Sequence, residues 1–255
     1  MQGQRYSIKT ETEPPVAALP VVPPLFPSFP VKGFLETSFV DWPGKLCAIL
    51  FLGGCNFRCP YCHNHPLVAA PEGLETIPLA TVMTRLTARE KWLDGICISG
   101  GEPTLQPDLP VLLSFFKKKG WAVKLDTNGS RPEILENLIG AGLVDMVAMD
   151  VKAPLVQDLY DRCAGCAVDL GKIAESIAIL QHSGIAHEFR MTIAPALHTE
   201  EDIRAWARRC SCPGSSRLRL QNFRPATTMA ACFAEERVFD PETFSRLQSV
   251  VGAFA

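Results

Sequence analysis

The stretch Leu46-Cys47-Ala48-Ile49-Leu50-Phe51-Leu52 runs directly into Gly53-Gly54-Cys55-Asn56-Phe57-Arg58-Cys59-Pro60-Tyr61-Cys62-His63-Asn64, and this junction decides the reading of the chain. The first part is an unbroken apolar run of strand length, closed by a glycine pair, as expected of a strand buried on both faces. The second holds Cys55, Cys59 and Cys62 in the spacing C-x-x-x-C-x-x-C, with no fourth cysteine at a matching interval. Thiolates this close converge on one iron–sulfur cluster, which normally takes four cysteines. Three ligands leave one iron of a four-iron cluster open to a small molecule, which points to a cluster that does chemistry. A cysteine loop at the C-terminal end of a buried strand is also where an α/β barrel carries its active site.

The competing reading of these residues is a zinc knot closed by His63 or His65. Structural zinc sites close with a second ligand pair about a dozen or more residues further on. The next cysteine here, Cys97, stands alone. The cluster is the better reading.

At 255 residues the chain suits one large α/β domain with an ample core. Lys and Arg total 25 against 27 Asp and Glu, and no block of like charge stands out. That argues against a nucleic-acid footprint or a membrane-surface patch. The longest apolar runs fall short of the ~20 residues that span a bilayer. The N-terminus lacks the basic-then-apolar layout of a secretory signal. Ten cysteines would imply disulfides only in a short, loop-rich secreted chain. Here they sit in apolar strands or in the metal-type cluster, so the expected setting is a reducing cytoplasm. Residues 1–30 hold Pro14, Pro15, Pro20, Pro23, Pro24, Pro27 and Pro30 without apolar periodicity. They read as a disordered or polyproline-like extension with no chemistry of its own, leaving 31–255 as the domain.

From Val31 onward apolar strands and amphipathic helices alternate. Strands are expected at 46–52, 95–99, 121–126, 143–149, 185–194 and 217–222. Helices are expected near 78–91, 108–119, 131–140, 169–182, 199–209 and 241–251. Pro132 with Glu133, and Thr199 with Asp202, are helix start signals, while Gly120 and Gly184 stop two others. Six strand–helix units with short loops predict a parallel sheet with right-handed crossovers. The fold class is therefore α/β, a partial, open (β/α)6 TIM-like barrel.

In such a barrel functional residues gather where strands end. The second strand leads into Ser99-Gly100-Gly101-Glu102-Pro103-Thr104, where two glycines let backbone approach a ligand and Glu102 offers a carboxylate for an ammonium. The plain alternative is a strand-to-helix turn. The third leads into Asp126-Thr127-Asn128-Gly129, either polar groups at the mouth or an Asx-type turn. The fourth leads into Asp150-Val151-Lys152, where alternation sends Asp150 and Lys152 to one side. The fifth carries Arg190 between Phe189 and Met191, and a cation there must find an anion because an unpaired buried charge is too costly. A ligand carboxylate would suit its forked donors. The sixth ends at Gln221-Asn222.

A cluster with an open iron, ammonium acceptors, a carboxylate clamp and polar groups for a sugar match an amino acid joined to a nucleoside. With these motifs the sequence resembles the radical S-adenosylmethionine superfamily over about residues 33–225. More narrowly it is similar to the glycyl-radical enzyme activating branch, that of anaerobic ribonucleoside-triphosphate reductase activating proteins. The Cys62-His63-Asn64 ending and Val40-Asp41-Trp42-Pro43-Gly44-Lys45 favour that branch. The resemblance implies one 4Fe–4S cluster on Cys55, Cys59 and Cys62, whose fourth iron S-adenosylmethionine chelates. It implies Tyr61 near the adenine, with His63 and Asn64 beside it. Gly100, Gly101 and Glu102 would hold the cofactor's amino group, and Arg190 its carboxylate. Asp126, Thr127, Asp150 and Lys152 would line the cofactor and cation site. One electron into the sulfonium would release methionine and a 5′-deoxyadenosyl radical, which takes hydrogen from a glycine of the partner. No catalytic side chain beyond the cluster and cofactor is required.

The implied partners are a glycyl-radical enzyme, foremost anaerobic ribonucleotide reductase, and a flavodoxin or ferredoxin as electron donor. Activation of pyruvate formate-lyase or another glycyl-radical enzyme, small-molecule chemistry of the deazaguanine synthase type, and a metal-binding module are the alternatives. Residues 66–96 hold no cysteine, which argues against an auxiliary-cluster insert. Cys163-x-x-Cys166 and Cys210-x-Cys212 read as incidental cysteines rather than a joint metal site. No histidine matches the sixth-strand position that some activases use, leaving Gln221 or Asn222 for that contact.

Overall fold

The computed structural model describes residues 29–212, 216–225 and 228–254. The proline-rich reading of 1–30 therefore lies almost wholly outside the described residues. Seven strands form one sheet in chain order: β1 (Val31–Ser38), β2 (Cys47–Leu52), β3 (Gly95–Gly100), β4 (Ala122–Thr127), β5 (Met146–Asp150), β6 (Ala186–Ile193) and β7 (Ser216–Asn222). β1 pairs antiparallel with β2, and every later neighbour is parallel. The helices are α1 (His65–Ala69), α2 (Leu79–Thr87), α3 (Leu109–Lys118), α4 (Pro132–Gly140), α5 (Gln157–Ala164), α6 (Leu170–His182), α7 (Glu200–Cys210) and α8 (Pro241–Gly252). The six parallel strands are the six anticipated.

Strict alternation gives each strand two destinations. In β2, Ala48, Leu50 and Leu52 join the main core under the helices, whereas Cys47 and Ile49 join Cys97, Met146 and Trp42 in a smaller cluster on the other face. Trp42 closes that inner cluster, and a side chain on Gly95 would meet its indole at 2.7 Å. The main core is anchored by Trp206, Tyr160, Phe116 and Phe189, all fully buried, each worth about 1.5–3 kcal/mol of apolar burial. Thr199 and Asp202 form a reciprocal capping box on α7, and Asp169 caps α6 with bonds to Gly171 N and Lys172 N. Each such cap stabilises by about 1 kcal/mol.

Four elements depart from the sequence reading, the first being the short helix α1, which was not anticipated. β1 was not anticipated, because an antiparallel strand lying half-exposed at the sheet edge shows no continuous apolar run. α5 was not anticipated either; Gln157-Asp158-Leu159-Tyr160-Asp161-Arg162 is polar overall and buries a single stripe on Leu159, Tyr160 and Cys163. β5 begins at Met146 rather than residue 143, since Leu143 and Val144 belong to the turn after α4, where Gly142 has φ +64.

Candidate active site

The C-terminal ends of the parallel strands surround one cavity of about 940 Å³. Every candidate residue of the sequence reading lines it except Glu102. The loop after β2 brings the thiols of Cys55, Cys59 and Cys62 to one wall. Its path depends on glycine. A Cβ on Gly101 would lie 1.9 Å from the Gly54 carbonyl oxygen, and one on Gly100, at φ +119, would lie 2.3 Å from that of Leu52. The Glu102 N–H donates to Gly54 O at 2.8 Å across the same seam. The glycine pair lets two backbones touch, fixing the cysteine loop against β3.

Glu102 stands apart from the other candidates. Its side chain is buried beneath the seam, where Oε1 accepts from Thr104 N at 3.1 Å, from Thr104 Oγ1, and from Thr127 Oγ1 at 2.7 Å. Oε2 accepts from Asn128 N at 2.6 Å. Burial pushes this carboxyl up from its ordinary range, and the four donors pull it back. Both oxygens accept from protein donors, so the carboxylate braces the 101–104 and 127–129 turns. Thr127 is half of that brace, although it also lines the cavity.

Burial raises the thiol pKa of Cys55 to about 11, that of Cys59 to about 12, and that of Cys62 above its ordinary value. The Lys152 ammonium opposes burial at all three. Phe57 N–H donates to Cys55 Sγ at 3.4 Å, and Asn128 Nδ2 lies 3.9 Å from the same sulfur. Thiols desolvated in this way, met by N–H donors and a neighbouring cation, suit thiolate ligands of a cluster. Among the described residues no three His, Cys, Asp or Glu side chains form a group that could hold a single metal ion, a geometry that a four-iron cluster, with each cysteine on a different iron, does not require.

Along β4, β5 and β6 and the turn after β5, five charges alternate. Lys124 Nζ pairs with Asp126 Oδ1; Asp126 Oδ2 accepts from Arg190 Nη1 at 3.3 Å; Arg190 Nε donates to Asp150 Oδ1 at 2.8 Å; Asp150 Oδ2 accepts from Lys152 Nζ at 3.3 Å. Ser99 Oγ adds a bond to Asp126 at 3.1 Å, and Glu188 stands 3.9 Å from Arg190. Burial opposes ionisation of Asp126 and Asp150, yet Arg190 and its neighbouring lysine hold both carboxyls below their ordinary range. The same anions hold Arg190 and Lys152 protonated. The anions that Arg190 needs within the protein are Asp126 and Asp150, and the guanidinium also lines the cavity.

The remaining candidates sit near the cysteine loop. His63 Nε2 contacts Arg224 O at 2.7 Å, and Asn64 Nδ2 donates to Gly100 O at 3.3 Å. Tyr61 packs on Phe233 at 6.2 Å between ring centroids, its buried hydroxyl without a partner among the described residues. At the end of β7, Gln221 Oε1 accepts from Thr192 Oγ1 at 3.3 Å. Asn222 Nδ2 donates to Phe239 O at 2.7 Å, while its buried Oδ1 has no partner among the described residues. Of the two extra cysteine pairs, Cys163 lies in α5 with its sulfur 3.4 Å from His198 Nε2, and Cys166 meets the Asn56 carbonyl at 3.5 Å. Cys210 is buried at the end of α7.

Sequence reasoning missed Lys124, whose side chain is wholly buried. Its signal was available: it stands two residues before Asp126 in one strand and so shares its face.

A cysteine loop at a barrel mouth facing a buried charge ladder defines a class, and comparison with known proteins names it. Residues 49–210 match the Radical SAM superfamily model. A Methanocaldococcus jannaschii protein, assigned by name to the glycyl-radical enzyme activating enzymes, is 38% identical over 179 residues, 68% of this chain and 72% of that protein. The pyruvate formate-lyase-activating enzyme of Streptococcus mutans is 37% identical over 123 residues, 44% of this chain and 46% of that enzyme. The crystal structure of Streptococcus suis SuiB bound to precursor peptide SuiA shares the fold at TM-score 0.62 and 17% identity, covering 81% of this chain and 45% of that one. The chain belongs to the radical S-adenosylmethionine superfamily, and within it to the glycyl-radical enzyme activating enzymes. It is an enzyme, and the cofactors of its family are a 4Fe–4S cluster and S-adenosylmethionine. Among the described residues no helix is long and apolar enough to cross a membrane.

Proposed function

We propose that this enzyme installs a glycyl radical on a partner, with anaerobic ribonucleoside-triphosphate reductase as that partner. The observation that carries the reading is that Cys55, Cys59 and Cys62 line the same cavity as Asp126, Arg190, Asp150 and Lys152 of the charge ladder. Those three thiols would hold the cluster. Bound there, the cluster would supply the single electron that reductive cleavage of S-adenosylmethionine requires, the chemistry that hydrogen abstraction from a glycine α-carbon would draw on.

The protein's own task is positioning and water exclusion. The glycine seam keeps the thiols fixed against β3, and Glu102 keeps the two turns beneath them rigid. Lys152 stands by the thiols, and it is the ladder's cation most open to the cavity, with 15% side-chain exposure. It is the group we assign to the cofactor's carboxylate, with Arg190 orienting it through Asp150. The peptide groups of Gly100 and Gly101 line the cavity and would meet the cofactor's ammonium, and Asn222 Oδ1 offers a buried acceptor for its sugar. No side chain needs to move a proton.

The Val40–Lys45 and Cys62–Asn64 segments support a glycyl-radical enzyme as partner, and the resemblance to reductase-activating proteins favours the reductase among them. The similarity to a pyruvate formate-lyase-activating enzyme supports a second reading, in which that lyase is activated. Anaerobic incubation of the reconstituted, reduced enzyme with each candidate partner, followed by glycyl-radical EPR, separates them. A radical signal on the reductase alone supports the first; a signal on the lyase alone replaces it.

A further inference from the structure

The turn after β4 reaches across to the cysteine loop, and its contacts settle which way one amide points. Ser130 N–H donates to Asn128 Oδ1 at 2.9 Å. A backbone N–H can only donate, so the oxygen of that amide faces Ser130 and the nitrogen faces the cysteine loop. Nδ2 carries two hydrogens. One goes to Asn56 Oδ1 at 2.9 Å, and Asn56 in turn donates through Nδ2 to Ser130 Oγ at 2.8 Å. The second is left for Cys55 Sγ, 3.9 Å from Nδ2. Asn128 is buried, so bulk water does not take this hydrogen.

The turn carrying the amide is held on both flanks. Asn128 N–H donates to Glu102 Oε2 at 2.6 Å, and Ser176 Oγ on α6 donates to Gly129 O at 2.7 Å. Gly129 has φ +73, and a Cβ there would stand 2.0 Å from Met149 Cε, so glycine alone fits. The buried Glu102 brace thus has a consequence at the sulfur: it fixes the peptide from which Asn128 reaches Cys55.

Resting on the assignment of the cluster to Cys55, Cys59 and Cys62, we infer that Asn128 is a positioning residue that raises the cluster's reduction potential through an N–H···S bond to Cys55. Burial opposes negative charge on this sulfur, and reduction adds an electron to the cluster it would ligate. A donor aimed at the sulfur stabilises the reduced form more than the oxidised one. Phe57 N–H gives the same sulfur a backbone donor at 3.4 Å, and Asn128 adds the side-chain one.

The test takes the full-length wild type, Asn128→Ala, Asn128→Asp and Ser176→Ala through anaerobic reconstitution, counts their iron, and titrates the cluster by EPR without S-adenosylmethionine. At one fixed donor potential the reduced-to-oxidised ratio should fall about tenfold in Asn128→Ala, which is about 59 mV for a one-electron couple. It should fall further in Asn128→Asp, which keeps an acceptor for Ser130 N–H and sets a carboxylate beside the sulfur. Ser176→Ala removes a buried bond from the same turn without touching the sulfur, and should titrate as the wild type does. A measurement on the wild-type chain covers the case in which neither Asn128 variant takes up iron. With asparagine side chains labelled with 15N, pulsed EPR of the reduced cluster should show a coupled 15N nucleus. Asn56 and Asn64 direct their nitrogens to Ser130 Oγ and Gly100 O, so that signal reports Asn128. An unchanged potential in both Asn128 variants, an equal shift in Ser176→Ala, or no coupled 15N overturns the inference. Failure of the wild type to take up about four irons overturns the cluster assignment instead.

Discussion

Arg190 on β6 donates through Nε to Asp150 Oδ1 at 2.8 Å and reaches Asp126 on β4 through Nη1 at 3.3 Å, so one guanidinium ties together the ends of three strands. A buried ion pair stabilises little beyond an apolar replacement, but removing one member strands the others. The ladder is therefore best understood as a device that fixes the geometry of the mouth.

Arg190→Leu should destabilise the apoprotein by about 3–5 kcal/mol in chemical denaturation, and Arg190→Lys by less, because it keeps a charge and loses the fork. The pH dependence should also weaken. In the wild type Asp126 and Asp150 are held below the ordinary 3.8, so their contribution is whole above that value and is lost as pH falls through the depressed folded values. In Arg190→Leu the two carboxyls keep only Lys124 and Lys152, so their pKa values should rise toward the ordinary value and the acid-side loss of stability should shrink.

Glu102→Gln should cost about 1–3 kcal/mol, although the side chain keeps its shape. Its four partners are all donors, so the amide N–H₂ of glutamine must face one of them. Urea denaturation of the apoprotein measures this. A variant as stable as the wild type would mean that the carboxyl is not the brace described.

Gly101→Ala should abolish cluster incorporation, because its Cβ would stand 1.9 Å from the Gly54 carbonyl and push the cysteine loop off β3. Iron content after reconstitution reads this directly. Gly73→Ala, where a Cβ meets nothing within 4 Å, is the matched control and should retain its iron.

His198 links the Lys152 carbonyl, 3.0 Å from Nε2, to the Ala194 N–H, which donates to Nδ1 at 3.2 Å. Desolvation keeps its pKa below the ordinary 6.5. The unfolded state therefore binds the proton more readily, and stability should fall as pH drops below about 6.5 and level off once the folded histidine also titrates. His198→Gln should flatten that part of the pH–stability curve.

The six parallel strands were legible because continuous apolar runs such as 46–52 and 95–99 are what two-sided burial requires. The edge strand β1 and the polar helix α5 were not, since each buries only part of itself. The cavity residues were legible for a related reason: strand ends in a parallel barrel face one mouth, so Asp126, Asp150, Lys152 and Arg190 could be placed there by counting. Which of them pair with one another was not. Arg190 had an anion to find, but only the side-by-side register of β5 and β6 shows that Asp150 supplies it. The burial of Glu102 was not legible either, because a carboxylate after two glycines looks the same in sequence whether it lines the cavity or turns under the loop.

The central claim is tested most directly by measuring 5′-deoxyadenosine from anaerobically reconstituted, reduced enzyme given S-adenosylmethionine, beside Cys55→Ala, Cys59→Ala and Cys62→Ala. The wild type should carry about four irons at this site and form the product, and each variant should lose both. One equivalent of zinc without iron–sulfur absorption, or product formation undiminished in a cysteine variant, would contradict the account.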